Sequence, residues 1–116
     1  MRIESKKYLY DIASAAKLAL GFIQGKGFAD YSARPDAALG VERQLEIVGE
    51  ALAQLAKTDP GAASQISEYQ RIIAFRNILI HGYAEIDDRI VWNVLELKLP
   101  VVLQQASELL GAEKSS

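Results

Sequence analysis

Residues 41–56 read VERQLEIVGEALAQLA, and their apolar side chains recur at alternating intervals of four and three residues. This spacing places one apolar stripe along a helix that turns every 3.6 residues. The stripe consists of Val41, Leu45, Val48, Leu52 and Leu55. Ser32 and Pro35 mark the entry to the helix, because proline is well suited to a first turn. The segment therefore predicts a long amphipathic helix that buries one face.

Two features of this helix lie outside its apolar stripe. Glu42, Glu46 and Glu50 form a row of carboxylates one helical turn apart, which we interpret as a solvent-facing surface. A metal site there would need further ligands, and the sequence shows no partner cluster. Gly49 costs a helix about 1 kcal/mol relative to alanine. A close crossing with another helix is the compensation that we expect at this position.

Amphipathic helices are also predicted before and after this segment. Residues 2–24 carry two adjacent apolar stripes, and the glycines at 25 and 27 end that helix because glycine adopts the left-handed cap conformation without steric cost. Residues 58–61, Thr-Asp-Pro-Gly, form the clearest break in the chain. A third helix follows from about residue 64 to residue 80, stopped by Gly82. Its predicted inward positions are Ile66, Tyr69, Ile73 and Ile80.

The C-terminal third of the chain completes the predicted bundle. Asp87 can cap a fourth helix by accepting a backbone N–H of the first turn. The predicted core positions of this helix are Val91, Val94, Leu95 and Leu97. Pro100 either kinks it or separates a fifth short helix over residues 101–110, and residues 111–116 are expected to fray. No strand pattern of useful length appears. We therefore predict one all-α domain over residues 1–116, an up-and-down bundle of four to five helices.

The composition limits the classes of function. The chain has no cysteine, which excludes disulfides, thiol nucleophiles and cysteine-based zinc sites. No apolar run approaches the roughly 18–20 residues of a membrane span, and the first residues contain no apolar leader, so we expect a cytoplasmic protein without a membrane anchor. The formal net charge is -2. Proteins that bind nucleic acid through bulk charge are basic, so any nucleic-acid contact here must depend on a local cleft.

One short stretch gathers the polar groups that could carry chemistry. Residues 76–83 read RNILIHGY and include the only histidine of the chain. Asn77 and His81 are four residues apart and share a helix face. Arg76 and His81 are about 140° apart around the axis at roughly 100° per residue. They converge on one ligand only if the helix ends at His81, which Gly82 would provide, or if the long arginine side chain wraps around the helix.

These residue types suit the cleavage of RNA by its own 2′-hydroxyl group, which needs neither a metal nor a protein nucleophile. A histidine can move a proton near neutral pH, and an arginine can stabilise charge on a phosphorane-like transition state. Asn77 can orient the phosphate or the imidazole. One Arg76 and one His81 make a sparse site, but a symmetric dimer would place two sets in one cleft. The structural alternative is a capping His81 and an Arg76 paired with Glu46 or Glu50.

The composite motif Arg76-Asn77-x3-His81-x-Tyr83 resembles the Arg-x4-His-x-Tyr motif of HepT-like toxins. These are minimal HEPN-domain ribonucleases of bacterial and archaeal toxin–antitoxin pairs. The run LEIVGEA at residues 45–51 is similar to the Leu-Glu-Ile-Ile-Gly-Glu-Ala run of that family, and residues 87–100 resemble its final helices. The resemblance covers nearly the whole chain and shows no departure from the motif.

The resemblance implies a HEPN-like homodimer that acts as a metal-independent endoribonuclease without a cofactor. Arg76 and His81 of both protomers would line one cleft, with Asn77 in support. It also implies that the chain is the toxin of a type II-like pair, with a cognate minimal nucleotidyltransferase antitoxin as its partner. That partner would transfer AMP from ATP to Tyr83, and the added anionic group would repel the RNA backbone.

Two other functions are compatible with the sequence. The chain could be a non-catalytic subunit that presents substrate or nucleotide to a separate nucleotidyltransferase, a role that its mild acidity fits. It could also be a helical dimerisation module in which His81 is structural and Tyr83 packs on the end of the bundle. Expression of the chain alone separates the toxin from the binding subunit, because only the toxin should inhibit growth.

Overall fold

The computed structural model describes residues 1–81 and 87–115, without the side chains of residues 112–115. These residues form helices and turns and contain no strand, which confirms the predicted all-α fold. The helices are α1 Ile3–Ile23, α2 Phe28–Ser32, α3 Pro35–Thr58, α4 Pro60–Ala63, α5 Tyr69–His81, α6 Asp88–Asn93 and α7 Leu99–Ser115. A π-helical turn, Val94–Lys98, joins α6 to α7.

Four of these helices make the bundle. α1 packs along both α3 and α7, and α3 also packs against α5. α3 buries the predicted stripe at its centre: Val41, Leu45, Val48, Leu52 and Leu55. The short helix α2 contacts α3 and α6, so it covers one end of the bundle. Among the helices that the structure describes, none is long and apolar enough to cross a membrane.

Several helix ends lie where the sequence placed them. α1 ends at Ile23, and Gly25 follows with a φ of 74° in the left-handed region. Pro35 is the first residue of α3. Asp87 caps α6, because its Oδ1 accepts a hydrogen bond from the backbone N–H of Arg89 at 2.8 Å. Glycine, proline and aspartate therefore predicted these three helix boundaries correctly.

The third helix differs from its prediction in where it starts and in which face it buries. α5 starts at Tyr69 rather than near residue 64, and Glu68 before it has a left-handed φ of 57°. Ile80, predicted to point inward, is 42% exposed, whereas Ile72 and Leu79 are buried. Tyr69 and Ile73 are partly buried against the core as predicted, and the most buried positions lie one residue before the predicted Ile73 and Ile80. Ile66 is buried as predicted, from the turn that precedes the helix.

Pro100 does not separate a helix that starts at residue 101, because it is the second residue of α7. The helix continues through it, because the π-helical turn lies immediately before α7. Within that turn the N–H of Leu99 bonds to the carbonyl of Val94, five residues back. In an α-helix the proline ring would press on the carbonyl four residues back, and the wider turn relieves this clash. Leu97, predicted to be in the core, lies in this turn and is 61% exposed.

Candidate active site

The candidate site is built on the crossing of α3 and α5. A Cβ added to Gly49 would overlap the Cβ of Arg76 and lie 2.7 Å from its Cγ. Gly49 itself is buried. The missing side chain therefore lets α5 approach α3 at the position from which Arg76 starts. This finding confirms the expected close crossing at Gly49 and gives the physical reason for a glycine in the middle of a long helix.

Two acceptors hold the guanidinium group of Arg76. Its Nη2 pairs with Oε2 of Glu50, and its Nη1 donates to Oδ1 of Asn77 at 2.8 Å. Glu50 is held in turn, since its Oε1 accepts a hydrogen bond from Nε2 of Gln54 at 3.1 Å. The Arg76 side chain is 26% exposed and that of Glu50 47%. Of the two carboxylates considered as partners, the structure selects Glu50.

The carboxylate row on α3 occupies three different environments. Glu50 pairs with Arg76, and Glu46 pairs with Arg43 at 3.4 Å. The pKa of Glu42 is raised, mainly by burial and then by the negative charges of Asp88 and Glu46. All three glutamates are partly buried, with 47% of the Glu50 side chain and 27% of the Glu46 side chain exposed, so the row faces solvent only in part. Within the described ranges, no three histidine or acidic side chains are grouped to hold a metal ion.

His81 and Asn77 occupy different positions relative to Arg76. Asn77 is an exposed residue in direct contact with the guanidinium group. His81 is the last residue of α5 and is also exposed. Gly82 and Tyr83, the predicted helix stop and modification site, lie outside the described residues. The structure therefore joins Asn77 to Arg76 and leaves His81 open to solvent within this protomer.

A cavity of about 390 Å³ lies beside Arg76, between α1, α3 and α5. α5 contributes Arg76 and Ile80 to its wall, and His81 does not line it. α1 contributes three side chains that the sequence did not assign to the site: Lys7, Tyr8 and Asp11. Lys7 and Asp11 are four residues apart, which places them on one helix face. That spacing was visible, but only the packing of α1 shows that this face is turned toward Arg76.

Known proteins resemble this chain over most of its length. The model of the family described as ribonuclease HepT-like matches residues 12–109. A protein of Caldanaerobacter subterraneus subsp. tengcongensis, named "Putative RNase", is 29% identical over 109 residues, which are 94% of this chain and 96% of that protein. The "Probable ribonuclease HepT" of Thermococcus cleftensis is 30% identical over 100 residues, 86% of this chain and 90% of its own. No solved structure gives a significant match.

Proposed function

This chain belongs to the ribonuclease HepT-like family, and from that premise we propose that it is an RNA-cleaving toxin with Arg76 and His81 as its catalytic residues. One observation carries the proposal. The family match runs through the motif, and Arg76 of that motif is held at the α3–α5 crossing by Glu50 and Asn77. A cation fixed in this way loses little freedom when it contacts a phosphate.

The proposed reaction is an attack of the RNA 2′-oxygen on the adjacent phosphorus. The bond from phosphorus to the 5′-oxygen breaks, which leaves a 2′,3′-cyclic phosphate and a 5′-hydroxyl group. One proton leaves the 2′-hydroxyl and one reaches the departing 5′-oxygen, and histidine suits both transfers near neutral pH. Arg76 stabilises the charge on the phosphate oxygens. Asn77 fixes the guanidinium group through its contact with Nη1 and is therefore a positioning residue.

A homodimer would complete this site. His81 is exposed and does not line the cavity beside Arg76, so a second protomer can bring another imidazole to the same cleft. The apolar side chain of Ile78, three residues before His81 on α5, supports such an interface, since it is 57% exposed. Exposed apolar groups beside a functional site are typical of a surface that another chain covers. The two histidines of the dimer could then divide the roles of base and acid.

Regulation by a cognate nucleotidyltransferase antitoxin is the second part of the proposal. The phenolic oxygen of Tyr83 would attack the α-phosphorus of ATP, with loss of the phenolic proton and departure of pyrophosphate. Tyr83 follows His81 by two residues, so the added AMP would stand next to the catalytic imidazole. Its negative charge would repel the backbone of the RNA substrate and keep the substrate from the cleft.

Cleavage of single-stranded RNA by the purified, unmodified protein in EDTA tests the activity and its independence of metal. We expect His81→Ala to slow cleavage by about 100-fold or more, the usual contribution of a general acid or base. Arg76→Ala should lower the rate to a similar degree. Arg71→Ala is the matched control, because Arg71 lies on the same helix with its side chain 84% exposed. Equal cleavage by wild type and His81→Ala would refute the assignment.

The second candidate function is a non-catalytic binding subunit. It is favoured by the pairing of Arg76 with Glu50, because a partly neutralised arginine is less available to a phosphate. In that case the wild-type chain should neither cut RNA nor inhibit growth when expressed alone, and Arg76→Ala should leave binding to a nucleotidyltransferase unchanged. Intact-mass measurement of the protein co-expressed with its partner addresses the modification separately. An added AMP that disappears in Tyr83→Phe would support the antitoxin mechanism.

A further inference from the structure

The cavity beside Arg76 is lined by charged, apolar and aromatic side chains. Arg76 is the less exposed of its two arginines, with 26% of the side chain exposed against 69% for Arg43. Tyr8 is the aromatic residue among the described side chains that line it, and its ring is partly buried. The volume of about 390 Å³ is near the lower end of the roughly 300–1,000 Å³ typical of small-ligand sites. One nucleotide can enter a space of this size, but a paired duplex cannot.

The charges around the cavity indicate which part of a nucleotide it can accept. Three carboxylates line it, from Asp11, Glu46 and Glu50. Three cations, from Lys7, Arg43 and Arg76, line it as well, and Glu46 and Glu50 already pair with Arg43 and Arg76. A base offers N–H groups, and carboxylate oxygens accept hydrogen bonds from such donors. The cavity can therefore hold an uncharged base against these acceptors, with the attached phosphate beside Arg76.

We propose that this cavity holds one unpaired base of the RNA, stacked on the ring of Tyr8, next to the phosphate that Arg76 contacts. This inference rests on the proposed function, because it takes RNA as the substrate. Bases stack on aromatic side chains in single-stranded RNA recognition, with about 1–3 kcal/mol per base lost on alanine substitution. Tyr8 and Arg76 line the same cavity from α1 and α5, so a stacked base would fix the register of the cleaved phosphate.

Lys7 and Arg43 are suited to hold the RNA backbone on either side of that base. Nζ of Lys7 lies 5.8 Å from the centroid of the Tyr8 ring, at the outer limit of a cation–π contact. An incoming base can displace this weak contact and free the ammonium group for a phosphate. Arg43 is mostly exposed and pairs with Glu46 only at 3.4 Å. Both cations can therefore turn toward the backbone without loss of a strong internal partner.

Binding of a single-stranded RNA that cannot be cleaved tests this proposal separately from catalysis. The probe is a fluorescein-labelled RNA with 2′-O-methyl groups throughout, and its Kd is measured by fluorescence anisotropy. We expect Tyr8→Leu to raise Kd by about five- to 100-fold, since the stacking surface is lost while an apolar side chain remains. Tyr8→Phe keeps the ring and should stay within about twofold of wild type. A duplex of the same sequence should bind more weakly than the single strand.

Tyr10→Leu is the matched control, because Tyr10 lies two residues along the same helix and is 64% exposed. It should leave Kd unchanged, and thermal unfolding of Tyr8→Leu verifies that the bundle is intact. Lys7→Ala and Arg43→Ala should each reduce the slope of log K against log salt by about 0.7, the value for one phosphate contact on a single strand. Unchanged Kd in folded Tyr8→Leu, or equal affinity for the duplex, would overturn the proposal.

The outcomes also separate this proposal from the proposed function. If the wild-type protein cleaves RNA and Tyr8→Leu binds RNA normally, the ribonuclease proposal is supported and the base site is refuted. If the wild-type protein does not cleave RNA but its RNA binding depends on the Tyr8 ring, the ribonuclease proposal is refuted. The base site then belongs to a binding subunit.

Discussion

Arg76 packs the first atoms of its side chain directly on the backbone of Gly49, with no space for a side chain on the glycine. The stem of the arginine is thus fixed by helix packing, and its guanidinium group is fixed by Glu50 and Asn77. Helix geometry and hydrogen bonding together set the direction of this cation. The stability of the bundle and the position of its candidate catalytic arginine are therefore linked at one crossing.

Gly49→Ala should destabilise the protein although alanine is the better helix former. The new Cβ would overlap the Cβ of Arg76, which cannot swing away because it is attached to the backbone of α5. Overpacking of this kind costs about 1–3 kcal/mol, against a gain of about 1 kcal/mol in helix propensity. We expect a net loss of up to about 2 kcal/mol in the free energy of unfolding, measured by urea denaturation.

The control for this substitution is Gly21→Ala in α1, where a Cβ would meet no atom within 4 Å. It should be neutral or raise the free energy of unfolding by up to about 1 kcal/mol. A Gly49→Ala protein as stable as Gly21→Ala would contradict the close crossing.

Glu50→Gln should impair catalysis more than stability. The substitution keeps the size of the side chain but removes the charge that holds Nη2 of Arg76. Because both side chains are partly exposed, the loss in unfolding free energy should be below about 1 kcal/mol. A misdirected guanidinium group should lower kcat for RNA cleavage by about tenfold or more. The exposed Glu96→Gln serves as the control, and faster cleavage by Glu50→Gln would show that Glu50 restrains Arg76 instead.

Arg76→Lys should behave like a strong loss of function although the charge is kept. A lysine offers a point charge that cannot reproduce the planar fork between Glu50 and Asn77. We expect the RNA cleavage rate to fall by about tenfold or more while the protein stays folded. Single-turnover cleavage, compared with thermal unfolding of the same preparation, checks this. A rate within twofold of wild type would show that only the charge matters.

Glu42 should make the protein less stable as the pH rises. Burial and then Asp88 and Glu46 raise its pKa in the folded state, so between the ordinary value of 4.5 and the raised value the folded state binds more protons than the unfolded state. Stability must then fall with increasing pH over this window. Glu42→Gln should therefore be more stable than wild type at pH 7, and the difference should vanish below pH 4.5. Urea denaturation across this range measures both.

Asp88→Asn tests whether the negative charge of Asp88 contributes to the raised pKa of Glu42. In that background the gain from Glu42→Gln should be smaller, because one of the negative charges that raises the pKa of Glu42 is absent. If Glu42→Gln stabilises the wild-type and Asp88→Asn proteins equally, burial alone explains the raised pKa of Glu42.

The sequence predicted the fold well where glycine, proline and aspartate end or start helices, as at Gly25, Pro35 and Asp87. It failed at Ile80 and Leu97, which are exposed. Periodicity gives the angle between two residues of one helix but not the direction of the neighbouring helices. In α5 the most buried residues, Ile72 and Leu79, lie one position before the predicted Ile73 and Ile80, and for Leu97 an unforeseen π-helical turn shifted the register.

The candidate site was predictable in part for the same reason. Arg76 was identified with two carboxylates as possible partners, since Glu46 and Glu50 lie one turn apart on α3 and the sequence cannot choose between them. The crossing at Gly49 decides for Glu50. Tyr8 could not be assigned to the site, because its contact with the cavity depends on how α1 is turned against α3.

The π-helical turn before Pro100 has a consequence for how the length of this chain can vary. Such a turn contains one residue more than an α-helix needs for the same advance, so a deletion within 94–98 could restore an unbroken α-helix. The proline ring would then press on the carbonyl of the preceding turn. Deletion of the exposed Leu97 should therefore be tolerated only together with Pro100→Ala. The effect of losing one residue in this turn thus depends on which residue stands at position 100.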